Sequence, residues 1–307
     1  MALLALPMTQ TSAPAGPAEA QKLQWSSFDG AKFPYLRWLP EGGAGAAVVC
    51  LHGLSGAASD YEQLGERLSA DGHAVYAYEL RGQGNDPKKS RIGDIRKREH
   101  WFADLDSFVE HVREHHPEAP LFLYGESLGS LILMHGFELL QEENRSAVRG
   151  LIYGSPAVAL PGGLGPFKRL CVNLLIRFCP GIKVSLKRLA GDHSAQVTGE
   201  GEVDHWEQME QTPHAVTHWS FRLLGTIEDM IKNSTQAAAP IEKPLLVLYP
   251  GKDVFTTPAQ VEAFYDELRS KDKSKRLFAD SHHLLFYDDE REDLFKLVRQ
   301  WVGKRAK

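Results

Sequence analysis

Five short, almost uninterrupted apolar runs constrain this chain more than anything else in it. They are "AAVVCL" (residues 46–51), "HAVYAYEL" (73–80), "LFLYG" (121–125), "GLIYGSP" (150–156) and "PLLVLYPGKD" (244–253). A run apolar on every residue is buried on both faces, which is how the strands of a parallel sheet read. Between the runs the period changes from 2 to 3.6. Tyr61, Leu64 and Leu68 share one helical face over residues 60–71, closed by Gly72. Phe102, Leu105, Phe108, Val109 and Val112 share another over 101–115. Residues 128–140, 257–270 and 291–302 read as further helices, and "KRLFA" (275–279) as the last strand. Alternating β and α segments of this kind predict an α/β fold, a mostly parallel sheet with helices on both faces.

Two regions fall outside the alternation. Residues 24–40 alternate aromatic and polar side chains around Asp29-Gly30, the pattern of a β-hairpin with a tight turn. Residues 41–45 are a flexible, glycine-rich connection. From about residue 157 to 239 the chain is helical, polar and glycine-rich without a clear strand. The expected organisation is a flexible tail (1–23), an α/β core in two pieces (24–156 and 240–307) and a cap or lid inserted between them (157–239).

The chain has 307 residues, enough for a well-buried core. Its formal net charge of -5 supplies no concentrated basic surface, so nucleic acid is not an expected partner. Its cysteines, Cys50, Cys171 and Cys179, are too few for a disulfide framework and fit no zinc spacing. They read as free thiols in a reducing compartment, hence a cytoplasmic protein. The first residues, "MALLALPMTQ", lack a basic n-region and are interrupted by Pro7, so a tail is expected rather than an export signal. No apolar run reaches the ~20 residues a membrane span needs.

The chemistry is suggested by "LFLYGESLGS" (121–130), where a strand stops at a serine flanked by Gly125 and Gly129. G-x-S-x-G between a strand and a helix is a nucleophile elbow, presenting the serine hydroxyl beyond the strand end. A glycine-rich turn with an N-capping serine would read the same way. A serine hydroxyl is a poor nucleophile without a base, so a histidine and an acid must follow at later strand ends, in the order Ser, acid, His. Asp253 follows the strand 244–250, and His282 and His283 follow the strand 275–279. Asp280 is too near His283 in sequence to occupy a different strand end and reads as a surface turn residue. Spacing leaves His282 and His283 equivalent. The oxyanion needs two backbone donors. They are assigned to Leu54, in the loop after the first core strand, and Leu128, which follows the serine. His52 reads as a loop-stabilising residue. His111 and His115, and His214 and His218, stand four apart, but neither pair has further ligands at metal spacing.

With these motifs together, the sequence resembles α/β-hydrolases of the monoacylglycerol lipase and lysophospholipase type. The resemblance is carried by His52-Gly53, "ELRGQGND" (79–86), "GESLG" (125–129), "YPGKDVFTTP" (249–258) and "DSHHLLFYDDE" (280–290). It spans most of the chain from about residue 24 and is weakest in the cap. It implies Ser127 as nucleophile, Asp253 as acid and His283, rather than His282, as base. It further implies a serine carboxylester hydrolase of lipid-like monoesters, working through an acyl-enzyme with no cofactor and no metal. Peptidase, thioesterase and cofactor-free peroxidase activities share the same triad, and a non-catalytic binding protein shares the fold. Gln83 replaces the family's frequent His in "RGQG", and Glu126 stands where His is frequent before the serine, a departure that bears on the hydrogen bonds behind the elbow. In the cap, Phe167, Leu170, Cys171, Leu174, Leu175 and Phe178 fall at helical spacing among Lys168, Arg169 and Arg177. The resemblance makes this helix a pocket cover that touches a membrane surface transiently, so that the protein would be peripheral to the membrane. A helix packed on the core is the plainer reading.

Overall fold

The computed structural model describes residues 19–160, 173–185 and 212–307. The expected tail up to residue 18, and Phe167 to Cys171 of the expected cap helix, lie outside the described residues.

An eight-stranded sheet organises the rest. Its strands are β1 (Gln21–Ser26), β2 (Lys32–Trp38), β3 (Ala47–Leu51), β4 (Ala74–Tyr78), β5 (Leu121–Glu126), β6 (Val148–Gly154), β9 (Leu245–Pro250) and β10 (Lys273–Phe278), with β7 and β8 forming a separate pair. The order across the sheet is β1-β2-β4-β3-β5-β6-β9-β10. The hairpin β1–β2 and the β2–β4 pair are antiparallel, and every other neighbour is parallel. The fold is thus the mostly parallel α/β arrangement expected.

The strand period of two divides the core between the two faces of the sheet. Ala47, Val49 and Leu51 of β3 face the cluster built with α2 (Glu99–His115) and α3 (Leu128–Gly136). Val48 and Cys50 face the cluster that holds Leu64 and Leu68 of α1 (Glu62–Ala70) and the C-terminal helix, Arg291–Arg305. All five predicted apolar residues of α2 are buried.

Some boundaries differ from the sequence reading. β1 begins at Gln21, three residues before the expected start, because Gln21, Lys22 and Leu23 pair with Arg37, Leu36 and Tyr35. The long helix expected over 128–140 ends at Gly136 and continues as a 3₁₀ turn, Phe137–Leu139. A short helix α4 (Glu142–Ala147) precedes β6. The expectation of no strand between 157 and 239 is corrected: β7 (Lys183–Val184) pairs antiparallel with β8 (Trp219–Ser220). Each is two residues long, too short to leave a periodic signal. Helix α5 (Phe221–Lys232) follows, capped by the Ser220 hydroxyl, which accepts from the Leu223 N–H. Then come α6 (Ser234–Ala238), α7 (Pro258–Glu267) and α8 (Arg291–Arg305).

A buried ion pair ties the hairpin to the core. Arg81 donates to both carboxylate oxygens of Asp104 at 2.8 and 2.7 Å and reaches Asp29 in the hairpin loop at 2.9 Å. The Arg81 and Asp104 side chains are only 2% and 3% exposed. Removing one partner of such a pair strands the other charge. Asp104→Ala is therefore expected to lower unfolding stability by about 3 kcal/mol. Denaturant midpoints at constant slope measure this. A loss within experimental error would mean that Asp29 alone satisfies the guanidinium.

Candidate active site

Strand β5 runs straight into α3, and Ser127 is the single residue between them. Its backbone sits at φ 50°, ψ -108°, in the positive-φ region that side chains avoid. Such a conformation costs on the order of 1–3 kcal/mol and persists only where the surroundings enforce it. Here the Ser127 N–H donates to Gly154 O at 2.9 Å, and Leu131 N–H donates to Ser127 O at 3.2 Å. The buried Ser130 hydroxyl contacts the carbonyls of Gly125 at 2.6 Å and Gly154 at 3.1 Å.

The two motif glycines permit a close approach of backbones. A Cβ on Gly125 would lie 2.4 Å from the Gly129 carbonyl carbon, and one on Gly129 would lie 2.0 Å from Leu51 O. Neither neighbour is a flexible side-chain end, so the backbone itself would have to move.

Three loops at the C-terminal ends of β5, β9 and β10 converge on Ser127. His283 Nε2 lies 2.9 Å from Ser127 Oγ, and its Nδ1 lies 2.9 Å from Asp253 Oδ2. In the matching tautomer, Ser127 O–H donates to Nε2 and Nδ1–H donates to the carboxylate. The Asp253 and His283 side chains are 2% and 7% exposed, while Ser127 is half-buried. Asp253 Oδ1 also accepts the Phe255 N–H at 2.7 Å. The Phe255 ring packs edge-on to the His283 ring, with centroids 4.7 Å apart.

Charge is distributed unevenly among these groups. Burial works to raise the Asp253 pKa, but the His283 ring and two backbone N–H groups outweigh it and hold the carboxyl below its ordinary range. Burial works to lower the His283 pKa, but the Asp253 carboxylate, with Glu126 helping, leaves it raised above 6.5. Burial raises Glu126 to about 7, although Ser155, His283 and Tyr124 pull the other way.

The two histidines left equivalent by spacing separate cleanly in space. His282 Nδ1 lies 3.1 Å from Asp288 Oδ2, and its backbone N–H donates to the same oxygen, so the ring is turned away from Ser127. Asp280 is an exposed turn residue beside Lys252. Leu128 directly follows the serine, and Leu54 lies in the loop after β3 and lines a cavity beside the elbow. Leu128 opens α3, and a Cβ on Gly53 would sit 3.4 Å from Ser127 Cβ, so the 52–54 loop lies against the elbow. His52 is buried behind that loop, with Nδ1 2.8 Å from Gly53 O and Nε2 accepting the Leu80 N–H at 3.0 Å. Among the described residues no group of three or more His, Cys, Asp or Glu is placed to hold a metal.

Two residues have supporting contacts that the sequence reading did not assign. Gln83, fully buried, accepts the Ser55 N–H at 2.9 Å and so braces the 52–55 loop. Ser155, at φ 40°, donates through its hydroxyl to His283 O at 2.6 Å. The Gly-Ser-Pro stretch at the end of β6 was the only signal for Ser155.

A cavity of about 360 Å³ opens beside the elbow. The 52–56 loop, Tyr61, Glu126, residues 212–214 and residues 284–287 line it. Ser127 is not in its wall; Glu126, the residue before it, is.

A mostly parallel sheet carrying a strained serine, an aspartate and a histidine at the C-terminal ends of β5, β9 and β10 defines the α/β-hydrolase class. Residues 42–290 match the family described as serine aminopeptidase, S33, and the chain belongs to that family of hydrolases. It is 27% identical to phospholipase YtpA of Bacillus subtilis over 259 residues, covering 84% of this chain and 95% of that one. It is 25% identical to a monoglyceride lipase of Saccharomyces cerevisiae over 311 residues, covering 93% and 94% of the two chains. Among solved structures, a soluble variant of monoglyceride lipase from that yeast, in complex with a substrate analogue, superposes with a TM-score of 0.77 at 21% identity, over 99% of this chain and 100% of that one.

The tight elbow makes a direct prediction. Gly129→Ala places a methyl group against Leu51 O, so a stability loss of about 2 kcal/mol or more is expected. Hydrolytic turnover of the folded fraction should fall at least ~100-fold as the serine is displaced. Thermal unfolding and turnover measured on the same preparation check both; unchanged values would mean that the elbow can widen freely.

Proposed function

We propose that the chain is a serine carboxylester hydrolase of lipid-like monoesters, of the monoacylglycerol or lysophospholipid type. The observation that carries this reading is the pair of 2.9 Å contacts that place His283 between Asp253 and Ser127. The names of the relatives supply the substrate class: phospholipase in one case, monoglyceride lipase in another. Residues 212–214, which line the cavity beside the elbow, support reading the insertion as a cap. Leu174 and Phe178, 46% and 70% exposed, would give it transient contact with a membrane surface. No described helix is long and apolar enough to cross a membrane. With the free thiols Cys50 and Cys179, this fits a cytoplasmic protein that visits the membrane from one side.

Catalysis follows from the geometry. Ser127 Oγ attacks the ester carbonyl carbon while His283 Nε2 takes its proton. Asp253 holds the imidazole tautomer and stabilises the imidazolium. The backbone N–H groups of Leu54 and Leu128 receive the oxyanion. His283 then gives the proton to the departing alcohol oxygen, leaving an acyl group on Ser127. A water molecule, deprotonated by His283, attacks that acyl carbon; the bond to Ser127 Oγ breaks, His283 returns the proton to that oxygen, and the fatty acid leaves. Every step uses groups of the chain and water, with no cofactor.

The test is turnover of p-nitrophenyl esters of increasing acyl length. Ser127→Ala and His283→Ala are each expected to lose at least ~1,000-fold in kcat. His282→Ala, whose ring faces Asp288, should stay within about tenfold of the parent. No ester turnover in the parent, or equal losses for the two histidine variants, would refute the assignment. A fluorophosphonate should label Ser127 alone.

The base role also fixes a pH dependence. Only neutral His283 can accept the serine proton, so kcat/KM must rise with pH as that ring deprotonates. Since its pKa is raised, the acidic limb should have its midpoint above 6.5. A midpoint below that value would contradict the Asp253–His283 coupling.

A further inference from the structure

The loop after β3 that carries Leu54 is held by the inserted segment as well as by the core. Gly56 N–H donates to Gly53 O at 3.1 Å, so residues 53–56 form a tight turn with Leu54 and Ser55 at its centre. Ser55 sits at φ 65°, at the third position of the turn, where glycine is the favoured residue. Glycine would take that backbone without strain, and what serine adds is a hydroxyl. That hydroxyl is committed to one residue. Ser55 Oγ donates to Val216 O at 2.9 Å and accepts the Val216 N–H at 2.9 Å. Ser55 and Val216 are both buried, and the Ser55 N–H donates to Gln83 Oε1 at 2.9 Å.

Val216 belongs to the stretch by which the insertion returns to the core, and that stretch is pinned at every second residue. A Cβ on Gly84 would lie 1.7 Å from His214 O, and one on Gly93 would lie 2.1 Å from His218 O, so each carbonyl packs where only a glycine leaves room. Ser220 N–H donates to Gly93 O at 2.8 Å. The Asp94 carboxylate takes the Ser220 hydroxyl and the Arg222 guanidinium. His214, His218 and Ser220 thus rest on the 82–94 loop, while Val216 reaches the turn that carries Leu54. Thr212, Pro213 and His214 also line the cavity together with residues 52–56, so a ligand there touches both segments. Removing the Ser55 hydroxyl would strip the buried Val216 N–H and C=O of this partner, a cost that keeps turn and segment together.

We infer that Ser55 is a positioning residue for the reaction: its hydroxyl ties the oxyanion turn to the return segment of the insertion, so that the Leu54 N–H is aimed at the reacting carbonyl only while that segment is seated. The inference rests on the ester-hydrolase reading, in which the Leu54 N–H receives the oxyanion. A donor there acts on charge that develops only in the transition state, so its aim governs turnover rather than substrate binding. A misplacement of about 1 Å is enough to cost ~100-fold. His283 and Asp253 stand on the loops after β10 and β9, so the base keeps its own coupling when the Ser55 hydroxyl is lost.

The experiment measures p-nitrophenyl ester turnover at a temperature where thermal unfolding shows every protein fully folded. Ser55→Gly keeps the backbone of the turn and Ser55→Ala keeps its β-carbon; both lose the hydroxyl. Each is expected to lower kcat at least ~10-fold and to leave KM within about twofold. The midpoint of the acidic limb of kcat/KM should stay where the parent has it. Gly84→Ala, which pushes His214 off the 82–94 loop without touching Ser55, should lower kcat by a similar factor. In the Ser55→Gly background the same change should cost less than about threefold more, because the link it acts through is gone. A kcat within twofold of the parent in either Ser55 variant, a loss that appears in KM or in the midpoint instead, or losses that multiply in the double variant overturns the inference. Where Gly84→Ala does not fold, the two Ser55 variants decide. No ester turnover in the parent would refute the hydrolase reading itself, whereas parent turnover unmoved by loss of the hydroxyl would refute this inference alone.

Discussion

The strained backbone of Ser127 is the constraint on which the rest of the site depends. A positive φ at a serine is unfavourable by itself, and neither β5 nor α3 would adopt it alone. It survives because the elbow is locked from three sides. Gly154 O takes the Ser127 N–H, the Ser130 hydroxyl contacts the carbonyls of Gly125 on β5 and Gly154 on β6, and the glycines let α3 close onto the Leu51 carbonyl. The sheet supplies the rigidity, since β3, β5 and β6 are adjacent and parallel and are buried along nearly their whole lengths. Burying an apolar sheet on both faces thus stabilises a conformation that local propensity opposes.

The same parallel order explains why the other two polar residues arrive where they do. Parallel strands end on one edge of the sheet, and β6, β9 and β10 lie successively beyond β5. Loops leaving β9 and β10 therefore deliver Asp253 and His283 to the edge where β5 delivers Ser127. Ser155 couples the last of these loops to the end of β6 through its hydroxyl on His283 O. His283 is thereby held by Asp253 at its ring and by Ser155 at its backbone, so its position does not rest on one hydrogen bond.

Most of this was legible in the residues, for a physical reason: parallel buried strands are apolar throughout, and chemistry at their ends stands out against them. Ser127, Asp253 and the histidine pair are polar residues placed where apolar runs stop. Choosing between His282 and His283 was not possible from spacing, because neighbouring residues in a loop differ in direction and not in position. The Asp288 carboxylate, which takes both the backbone N–H and the ring of His282, makes that difference. Gln83 stood out in "RGQG", but its contact to Ser55, like that of Ser155 to His283, is one that no local pattern records. The β7–β8 pair was missed because two-residue strands far apart in sequence have no period to detect.

Glu126 shows how position alone divides the roles of two carboxyl groups that both interact with one imidazole. Asp253 accepts two backbone N–H groups and the His283 ring, so its charge is satisfied and it stays ionised. Glu126 is as deeply placed; Ser155, the His283 ring and Tyr124 pull its pKa down, but burial dominates and raises it to about 7. Groups whose environments push their pKa values apart take different parts in a site. Asp253 is the ionised group that holds the His283 ring. Glu126 is a group whose charge is set by what lies beside it. A neutral neighbour leaves it free to take up a proton near neutral pH, whereas a cationic one holds it ionised. The family's frequent histidine at this position could not do the same, because an imidazole becomes cationic when it takes up a proton, whereas a carboxyl becomes negative when it loses one. Placing an acid before the nucleophile therefore reverses the sign of the charge that this wall of the cavity can develop, without altering the elbow that presents Ser127.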